Sequence, residues 1–213
     1  MTIGRLHVIT DVAVQTRFSH DELTEMACDG GADVVQLRDK TMTPEAFAES
    51  ARRVAGICRA HGVTFIVNDR ADVARSVEAS GVHVGRTDRS IRDARALVGP
   101  GAIVGASAGT LEEALEAESE GADYVGFGHI FATASKSKST SPVGLDALAR
   151  VASRVRVPVI AIGGISEANA RSVMDAGAWG IAVIGAVCGA NDPRAATERL
   201  RAIVETRGTR GSI

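Results

Sequence analysis

The sequence predicts a (β/α)8 TIM barrel, and its hydrophobic pattern supports this fold class in three ways. Eight short runs rich in Val and Ile alternate with longer amphipathic stretches. Most of these runs lack polar alternation, which is typical of parallel strands covered on both faces. Eight strand–helix units also favour a closed barrel over an open sheet. The predicted strands span residues 5–10, 32–37, 64–68, 81–84, 102–106, 123–127, 158–162 and 180–184.

The composition predicts one domain over residues 1–213 and argues against several functional classes. Hydrophobic residues make up 45% of the chain, which is enough for one sizeable core, and the net charge of -2 offers no basic surface for nucleic acid. Without a long apolar run or an export signal, we expect a cytoplasmic protein with no membrane contact. The three cysteines form no CxxC pair, so we expect no disulfide framework. A homo-oligomer is compatible with this composition.

Capping residues and glycines predict where the helices begin and end. Ser19 with Glu22, and Thr110 with Glu113, match the capping-box pattern. Further helix starts are predicted at Thr43-Pro44, Ser166 and Asp192-Pro193. Helix ends are predicted at Gly31, Gly121 and Gly177.

Polar residues follow most of the predicted strands. Active sites of this barrel form at the carboxyl ends of its strands, so we expect an active site to place polar residues there. One polar residue after a strand is usually a turn or a helix cap, but polar groups after most strands favour a binding site. The residues concerned are Gln36, Arg38, Asp39, Lys40, Asn68, Asp69, Arg70, Arg86, Asp88, Ser107, His129, Thr133, Ser135 and Lys136.

Charged residues in this set predict a site for a diphosphate and Mg²⁺. Arg38, Lys40 and Lys136 can bind phosphate oxygens. Asp69 and Asp88 follow adjacent strands, and Mg²⁺ is commonly held by one or two carboxylates together with substrate phosphates. Each residue alone has a simpler interpretation. The cations could be surface charges, Asp69 a helix cap and Asp88 a turn residue.

The last two strands end in glycines that resemble the phosphate cup of many such barrels, in which backbone N–H groups bind the anion. The residues are Gly163, Gly164, Ile184 and Gly185. A long polar loop over residues 129–143 is predicted to be a lid, with local disorder as the alternative.

The histidines divide into one candidate for proton transfer and four with structural roles. His129, which begins the long loop, is the candidate acid/base group. His7 and His83 fall within predicted strands, whereas His20 and His61 are predicted on helix surfaces.

Segments along nearly the whole chain resemble those of the thiamine-phosphate synthase family. They are VQLRDK (35–40), NDR (68–70), GVHVGRTD (81–88), GAS (105–107), GADYVGFG (121–128), TASK (133–136) and AIGGI (161–165). The resemblance implies a transferase that joins 4-amino-2-methyl-5-pyrimidinylmethyl diphosphate to thiazole phosphate. The products would be thiamine phosphate and pyrophosphate, formed by a dissociative step that Mg²⁺ assists.

The resemblance also implies roles for individual residues. Those expected to bind the pyrimidine diphosphate are Gln36, Arg38, Lys40 and Asn68, with Leu37 and Asp39 in the same segment. Asp69 and Asp88 would hold Mg²⁺, while Ser107 and Lys136 would contact the departing diphosphate or the pyrimidine. The thiazole phosphate would contact Thr133, Ala134, Ser135, Gly164, Ile184 and Gly185. The expected catalytic residues are Arg38, Lys40, Ser107 and Lys136.

Three features depart from the family pattern. Ser135 stands where Thr is usual, and Gly185 stands where Ser is common. The segment GHIF (128–131) resembles the sister family of thiazole tautomerases, in which a His moves a proton on thiazole carboxylate phosphate. Those sisters generally lack the acidic pair and the QLRDK pattern, both present here, so the transferase is favoured. The alternatives are a tautomerase with His129 as acid/base, and a non-catalytic barrel that binds thiazole or thiamine phosphate as a regulator.

Overall fold

Eight parallel strands close into one barrel, as predicted. The computed structural model describes residues 3–86, 88–133 and 141–206. The strands are Leu6–Thr10 (β1), Val34–Leu37 (β2), Thr64–Asn68 (β3), Gly81–Val84 (β4), Ile103–Ala108 (β5), Tyr124–Gly128 (β6), Val159–Ile162 (β7) and Gly180–Val183 (β8). Each pairs in parallel with its sequence neighbours, and β8 pairs with β1 to close the sheet.

Helices surround the barrel on its outer face. In the described part of the chain they are His20–Asp29 (α1), Pro44–His61 (α2), Ala71–Ser76 (α3), Ile91–Val98 (α4), Leu111–Ser119 (α5), Gly144–Arg154 (α6), Ala170–Asp175 (α7), Gly185–Cys188 (α8) and Pro193–Glu205 (α9). None of these helices is long and apolar enough to cross a bilayer.

The predicted strand boundaries were wrong by up to two residues. The largest error at a strand start concerns β2, which begins at Val34 instead of residue 32. Asp33, just before it, accepts hydrogen bonds from the backbone N–H groups of Arg5 and Leu6, each at 2.9 Å. The Asp33 carboxylate therefore adds side-chain bonds at the start of β1, where the Asp33 N–H also donates to the Leu6 carbonyl oxygen at 3.0 Å. At the other end of the barrel, β5 continues to Ala108, two residues beyond the prediction.

Most predicted helix starts are confirmed. The Ser19 hydroxyl accepts from the Glu22 N–H, and the Glu22 carboxylate accepts from the Ser19 N–H, which completes a capping box. Thr43 and Asp192 likewise cap α2 and α9, each ahead of a proline. Gly31, Gly121 and Gly177 follow helices with positive φ angles, as predicted.

One predicted capping box and one predicted helix start need correction, although Thr110 does cap the start of α5. Thr110 accepts from the Glu113 N–H, but the Glu113 carboxylate accepts from the N–H of Gly109 instead of completing the box. Ser166 does not begin a helix, because α7 starts only at Ala170. The N–H of Ser166 donates to the Asn169 side chain at 2.8 Å, which holds the chain in a turn before the helix.

Two apolar layers stabilise the barrel, one inside it and one between it and the helices. The inner layer is small and consists of Ile3, Ile9, Val34, Ile66, Ile103, Tyr124, Ile160, Ala182 and Ile184. The outer layer is larger and contains most of the buried Val, Ala and Leu side chains. Because both faces of each strand are covered, the strands show the near-continuous apolar runs on which the prediction rests.

The strand and helix histidines differ from one another in burial. His7 lies inside the barrel, 1% exposed, with Nε2 3.1 Å from the carbonyl oxygen of Gly4. The prediction for His61 is confirmed, because it is exposed on α2. The prediction for His20 was wrong. His20 is 3% exposed, and its Nδ1 lies 2.9 Å from the hydroxyl of Thr10, so α1 buries the residue against the barrel.

The burial of His7 predicts that the folded protein loses stability at acid pH. Burial lowers its pKa to about 4, outweighing the opposite effect of the Gly4 carbonyl. The unfolded chain therefore binds a proton near pH 6.5 that the folded chain does not accept until about pH 4. This contribution to stability is complete above pH 6.5 and is lost as the pH falls. We expect it to remove roughly 2 kcal/mol of the free energy of unfolding between pH 7 and pH 5.

Urea unfolding at both pH values measures this loss. His7→Gln should remove most of the acid-induced decrease, whereas His61→Gln, which removes an exposed histidine, should leave it unchanged. An equal decrease in wild type and His7→Gln would contradict the assignment.

Candidate active site

The mouth of the barrel, where the strands end, holds an open cavity of about 150 Å³. Many residues singled out in the sequence line it, and they lie near or just after the carboxyl ends of seven of the eight strands. They are Gln36, Arg38, Asn68, Arg86, Ser107, His129, Thr133, Gly163, Gly164, Ile184 and Gly185. The tertiary structure thus brings these separated positions together.

Asp69 and Asp88 meet at the rim, beside Lys40. The two carboxylates are within hydrogen-bonding contact of each other, and Lys40 Nζ donates to Asp69 Oδ2 at 2.5 Å. A Cβ at Gly85 would lie 2.4 Å from Asp88 Oδ2 and 3.9 Å from Asp69 Oδ1, so both carboxylates face this glycine. Asp88 also accepts from the Gly85 N–H, as its interpretation as a turn residue predicts. The interpretation of Asp69 as a helix cap was wrong, because α3 has no side-chain cap.

The two carboxyl groups have opposite pKa shifts. Burial works to raise the pKa of Asp69, but hydrogen bonds from Lys40 and Asp88 outweigh it and lower the pKa. Burial and the neighbouring Asp69 raise the pKa of Asp88. Such a split is expected when two carboxylates share one site, because like charges at contact distance oppose double ionisation. A bound cation would relieve this repulsion.

The pair fits a divalent cation with oxygen ligands. Among the described residues, no group of three or more His, Cys, Asp or Glu side chains converges on a common point. Asp69 and Asp88 would therefore be two protein ligands, with other positions left for water or phosphate oxygens. Mg²⁺ is commonly bound in this way.

Arg38 is held by Asp11, a residue that the sequence analysis did not single out. The Arg38 guanidinium donates to Asp11 Oδ2, and the Asp11 side chain is only 3% exposed. Asp11 Oδ1 accepts from the Ala13 N–H at 3.0 Å, which fixes the carboxylate. Asp11 directly follows β1, so a search for polar residues after every strand would have found it.

Arg86, which also lines the cavity, has a carboxylate partner as well. Its guanidinium donates to Glu113 Oε1 at 2.8 Å. In the described part of the site, Arg38, Lys40 and Arg86 are thus each paired with an acid. These pairs orient the cations but also neutralise much of their charge.

The side chains of Leu37 and Asp39 point away from the cavity, although both were predicted to bind substrate. Leu37 is fully buried in the layer between barrel and helices. Asp39 Oδ1 accepts from the Thr41 hydroxyl at 2.7 Å, and Oδ2 lies 3.2 Å from His20 Nε2. Burial works to raise the pKa of Asp39, but hydrogen bonds led by those from Thr41 lower it to about 2. A ligand could contact only the backbone at these two positions.

Two consecutive glycines shape the opposite side of the mouth. Gly163 and Gly164 have φ angles of 100° and 66°. A Cβ at Gly163 would lie 2.3 Å from the Cβ of His129, and one at Gly164 would lie 2.5 Å from the carbonyl oxygen of Ala132. Both the backbone conformation and the space therefore require glycine. Gly185 begins the single-turn helix α8, which follows the neighbouring strand β8.

The long loop after β6 is described only at its two ends. His129 is 8% exposed, and it lines the cavity together with Thr133. The predicted contacts of Ala134, Ser135 and Lys136 fall outside the described residues, as does the middle of the predicted lid, residues 134–140.

The cavity floor holds two aromatic residues joined by a hydrogen bond. The Tyr124 hydroxyl lies 3.0 Å from His83 Nδ1, and His83 Nε2 lies 2.9 Å from Ser107 Oγ. His83 was predicted to have a structural role, and Tyr124 was not singled out. Both share the inward face of Ser107, because both pair with Gly105, and alternation along β5 puts Gly105 and Ser107 on the same face. This register was not available from the sequence pattern.

The closed barrel and the cavity at its carboxyl end define the class of protein as a (β/α)8-barrel enzyme. Residues 6–187 match the family model described as "Thiamine monophosphate synthase". The chain belongs to this family.

Relatives and solved structures agree with this membership. The chain is 48% identical over 199 residues to thiamine-phosphate synthase from Methanocella arvoryzae, covering 93% of this chain and 94% of the relative. It is 48% identical to thiamine-phosphate synthase from Chloroflexus aurantiacus over 200 residues, covering 94% and 92%. The solved thiamine phosphate pyrophosphorylase from Pyrococcus furiosus superposes with a TM-score of 0.87 at 43% identity, covering 94% and 95%.

The requirement for glycine at position 164 can be tested by measuring the free energy of unfolding. Gly164→Ala places a Cβ against a backbone oxygen at positive φ, so we expect it to lower the free energy of unfolding by about 1–3 kcal/mol. Gly56→Ala is the matched control, because a Cβ there meets nothing within 4 Å in the interior of α2. This control should be neutral or stabilise by up to about 1 kcal/mol. Urea unfolding compares the two, and equal stabilities would refute the close approach at Gly164.

Proposed function

We propose that this chain is a transferase that joins 4-amino-2-methyl-5-pyrimidinylmethyl diphosphate to thiazole phosphate, releasing thiamine phosphate and pyrophosphate. One observation carries the proposal. Asp69 and Asp88 follow β3 and β4, and Lys40, which contacts Asp69, follows β2, whereas the glycine turns follow β7 and β8. In a closed eight-stranded barrel these strands lie on opposite sides of the mouth. The site therefore offers two separate places for anionic groups, as two phosphorylated substrates require.

The diphosphate would occupy the side formed by β2, β3 and β4. Gln36 and Asn68 line the cavity there, and Arg38 presents a guanidinium already oriented by Asp11. Lys40 stands at the rim with 56% of its side chain exposed, so it can reach phosphate oxygens. The thiazole phosphate would lie against Thr133, Gly164, Ile184 and Gly185, with Ala134 and Ser135 as further predicted contacts.

Charge balance supports a role for Mg²⁺. The three described cations of the site are each paired with an acid, so they provide little net positive charge for a diphosphate. Mg²⁺ held by Asp69 and Asp88 would supply Lewis-acid stabilisation of the charge on the departing diphosphate. The raised pKa of Asp88 fits this assignment, because a second negative charge beside Asp69 is costly without a cation.

The protein side chains would act by orientation and electrostatics. The bond between the pyrimidine methylene carbon and the diphosphate oxygen breaks with its electron pair leaving on pyrophosphate. The aminopyrimidine stabilises the resulting cation, and the thiazole nitrogen then attacks its methylene carbon. Arg38, Lys40 and Lys136 would stabilise the developing negative charge, and Ser107 would hold the pyrimidine or the diphosphate. No covalent enzyme intermediate is needed.

A paired-substrate assay tests the proposal. The purified chain is incubated with both phosphorylated halves, with and without Mg²⁺, and thiamine phosphate is measured. We expect product only when both substrates and the metal are present. Absence of product under all conditions would refute the transferase.

Asp88→Ala tests the metal assignment. The variant should lose Mg²⁺-dependent turnover by at least about a hundredfold while retaining the wild-type fold, because a ligand is lost at the rim and not in the core. Asp146→Ala, which removes an exposed carboxylate from α6, is the control and should retain wild-type turnover. Ordinary Mg²⁺ dependence in Asp88→Ala would show that this carboxylate does not bind the metal.

His129 supports a second candidate, a thiazole tautomerase. Its side chain lines the cavity beside the glycine turn of β7, where it could reach a thiazole phosphate. This isomerase would need neither the pyrimidine diphosphate nor Mg²⁺. If wild type isomerises thiazole carboxylate phosphate and His129→Asn does not, the candidate stands; equal rates would exclude His129 as the acid/base group. Binding of thiazole or thiamine phosphate without turnover of any substrate would instead favour a regulatory barrel.

A further inference from the structure

The buried Asp39 carboxylate holds the chain on both sides of Lys40. Asp39 Oδ1 accepts from the Thr41 N–H at 2.7 Å, from the Thr41 hydroxyl at 2.7 Å and from the Met42 N–H at 2.8 Å. We call residues 38–42 the Lys40 turn. Because both chain neighbours of Lys40 belong to this hydrogen-bonded turn, the position of the Lys40 Cα is fixed while its side chain extends to the rim.

His20 ties the same carboxylate to helix α1 and to the end of β1. His20 Nε2 lies 3.2 Å from Asp39 Oδ2, and His20 Nδ1 lies 2.9 Å from the hydroxyl of Thr10, the last residue of β1. The side chains of His20 and Asp39 are only 2% and 3% exposed. An ionised carboxylate can only accept hydrogen bonds, so His20 Nε2 is the donor to Asp39. The Lys40 turn is therefore attached to two elements of the barrel.

The loop that holds Asp69 is attached to the Lys40 turn as well. Arg70 donates from Nη2 to the carbonyl oxygen of Met42 at 3.4 Å, and its guanidinium carbon lies 4.3 Å from the centre of the Phe47 ring. Lys40 Nζ donates to Asp69 Oδ2 at 2.5 Å. Two links thus join the loops after β2 and β3, and a displaced Lys40 turn would move the ammonium relative to Asp69.

Stability alone is a weak explanation for the buried pair of His20 and Asp39. Replacing a buried ion pair with apolar side chains is often neutral or stabilising, because the cost of desolvation offsets the attraction. A fully hydrogen-bonded buried network can instead select one local conformation. Such selection matters for a lysine, because its long stem is flexible and only its Cα and its partner restrict where the ammonium lies.

We infer that Asp39 and His20 are positioning residues, which hold the Lys40 turn so that the Lys40 ammonium faces the diphosphate side of the mouth. The Asp39 carboxylate is engaged by Thr41, Met42 and His20, so its effect on a ligand must pass through another residue. The inference rests on the proposed function, which makes Lys40 a contact of the diphosphate.

A double-mutant cycle tests whether the effect passes through Lys40. Values of kcat/KM are measured for the pyrimidine diphosphate at saturating thiazole phosphate and Mg²⁺. Asp39→Ala should lower kcat/KM by about tenfold or more, because a misplaced charge stabilises the departing diphosphate poorly. In the Lys40→Met background, the same substitution should lower it by less than about twofold, since the group it positions is already absent. His20→Ala should show the same pattern, and it carries the cycle if Asp39→Ala does not fold.

Three further variants separate positioning from a general loss of structure. Asp39→Asn keeps an oxygen that can accept from Thr41 and Met42, so it should recover most of the lost kcat/KM. Leu200→Val trims a fully buried side chain of α9 and should lower the melting temperature without changing kcat/KM. Arg86→Gln alters a different cation of the cavity, and its effect should multiply with that of Asp39→Ala, as independent changes do.

Binding of pyrophosphate in the presence of Mg²⁺ gives a measurement that needs no turnover. Isothermal titration calorimetry compares wild type, Asp39→Ala, Lys40→Met and the double variant. Asp39→Ala should weaken pyrophosphate binding by about tenfold, because a charged hydrogen bond is misplaced. It should have less than about a twofold effect once Lys40 has been replaced.

The outcomes distinguish the inference from the proposed function. If wild type makes thiamine phosphate but the effects of Asp39→Ala and Lys40→Met multiply in full, Asp39 does not act through Lys40 and the inference is overturned. The same conclusion follows if Asp39→Ala is equally non-additive with Arg86→Gln. If no thiamine phosphate forms but the calorimetric cycle shows the expected coupling, the proposed function fails and the positioning role stands. Absence of both turnover and pyrophosphate binding in wild type would remove both.

Discussion

Closure of the parallel sheet by the pairing of β8 with β1 is the constraint on which the site depends. Every strand then ends at the same mouth, so residues far apart in the chain become neighbours. Arg38 reaches Asp11 and Lys40 reaches Asp69 because β1, β2 and β3 are consecutive in the barrel. The same closure puts β3 and β7 on opposite sides of the barrel mouth. The two proposed anion positions are therefore separated by the cavity, and neither substrate must displace the other.

Charge in the site is arranged in pairs instead of as a positive patch. Asp11 orients the guanidinium of Arg38, and Glu113 does the same for Arg86. Such pairing fixes donor geometry before a ligand arrives, which reduces the reorganisation needed during a reaction. It also leaves Asp88 as an additional acid with a raised pKa. This arrangement is consistent with the proposal that a diphosphate binds together with a cation.

Small residues create the space that the polar groups use. The inner layer consists mainly of Ile side chains, and glycines such as Gly126 and Gly128 also line the cavity. Gly105 and Gly126 admit the rings of Tyr124 and His83, and Gly164 allows the backbone to approach Ala132. The glycines thus decide where the rings and the backbone that line the cavity can lie.

The sequence by itself determined the barrel, because eight apolar runs separated by capped helices have few other ways to cover both faces of each strand. It also predicted many of the polar residues and glycines that line the cavity, since a strand end fixes where the next few residues lie. The directions of side chains were decided only by the tertiary structure. Asp39 points toward His20, and the partner of Arg38 is Asp11, because contacts across neighbouring strands and helices settle these choices. Local sequence contains no information about such contacts, which join residues brought together by closure alone.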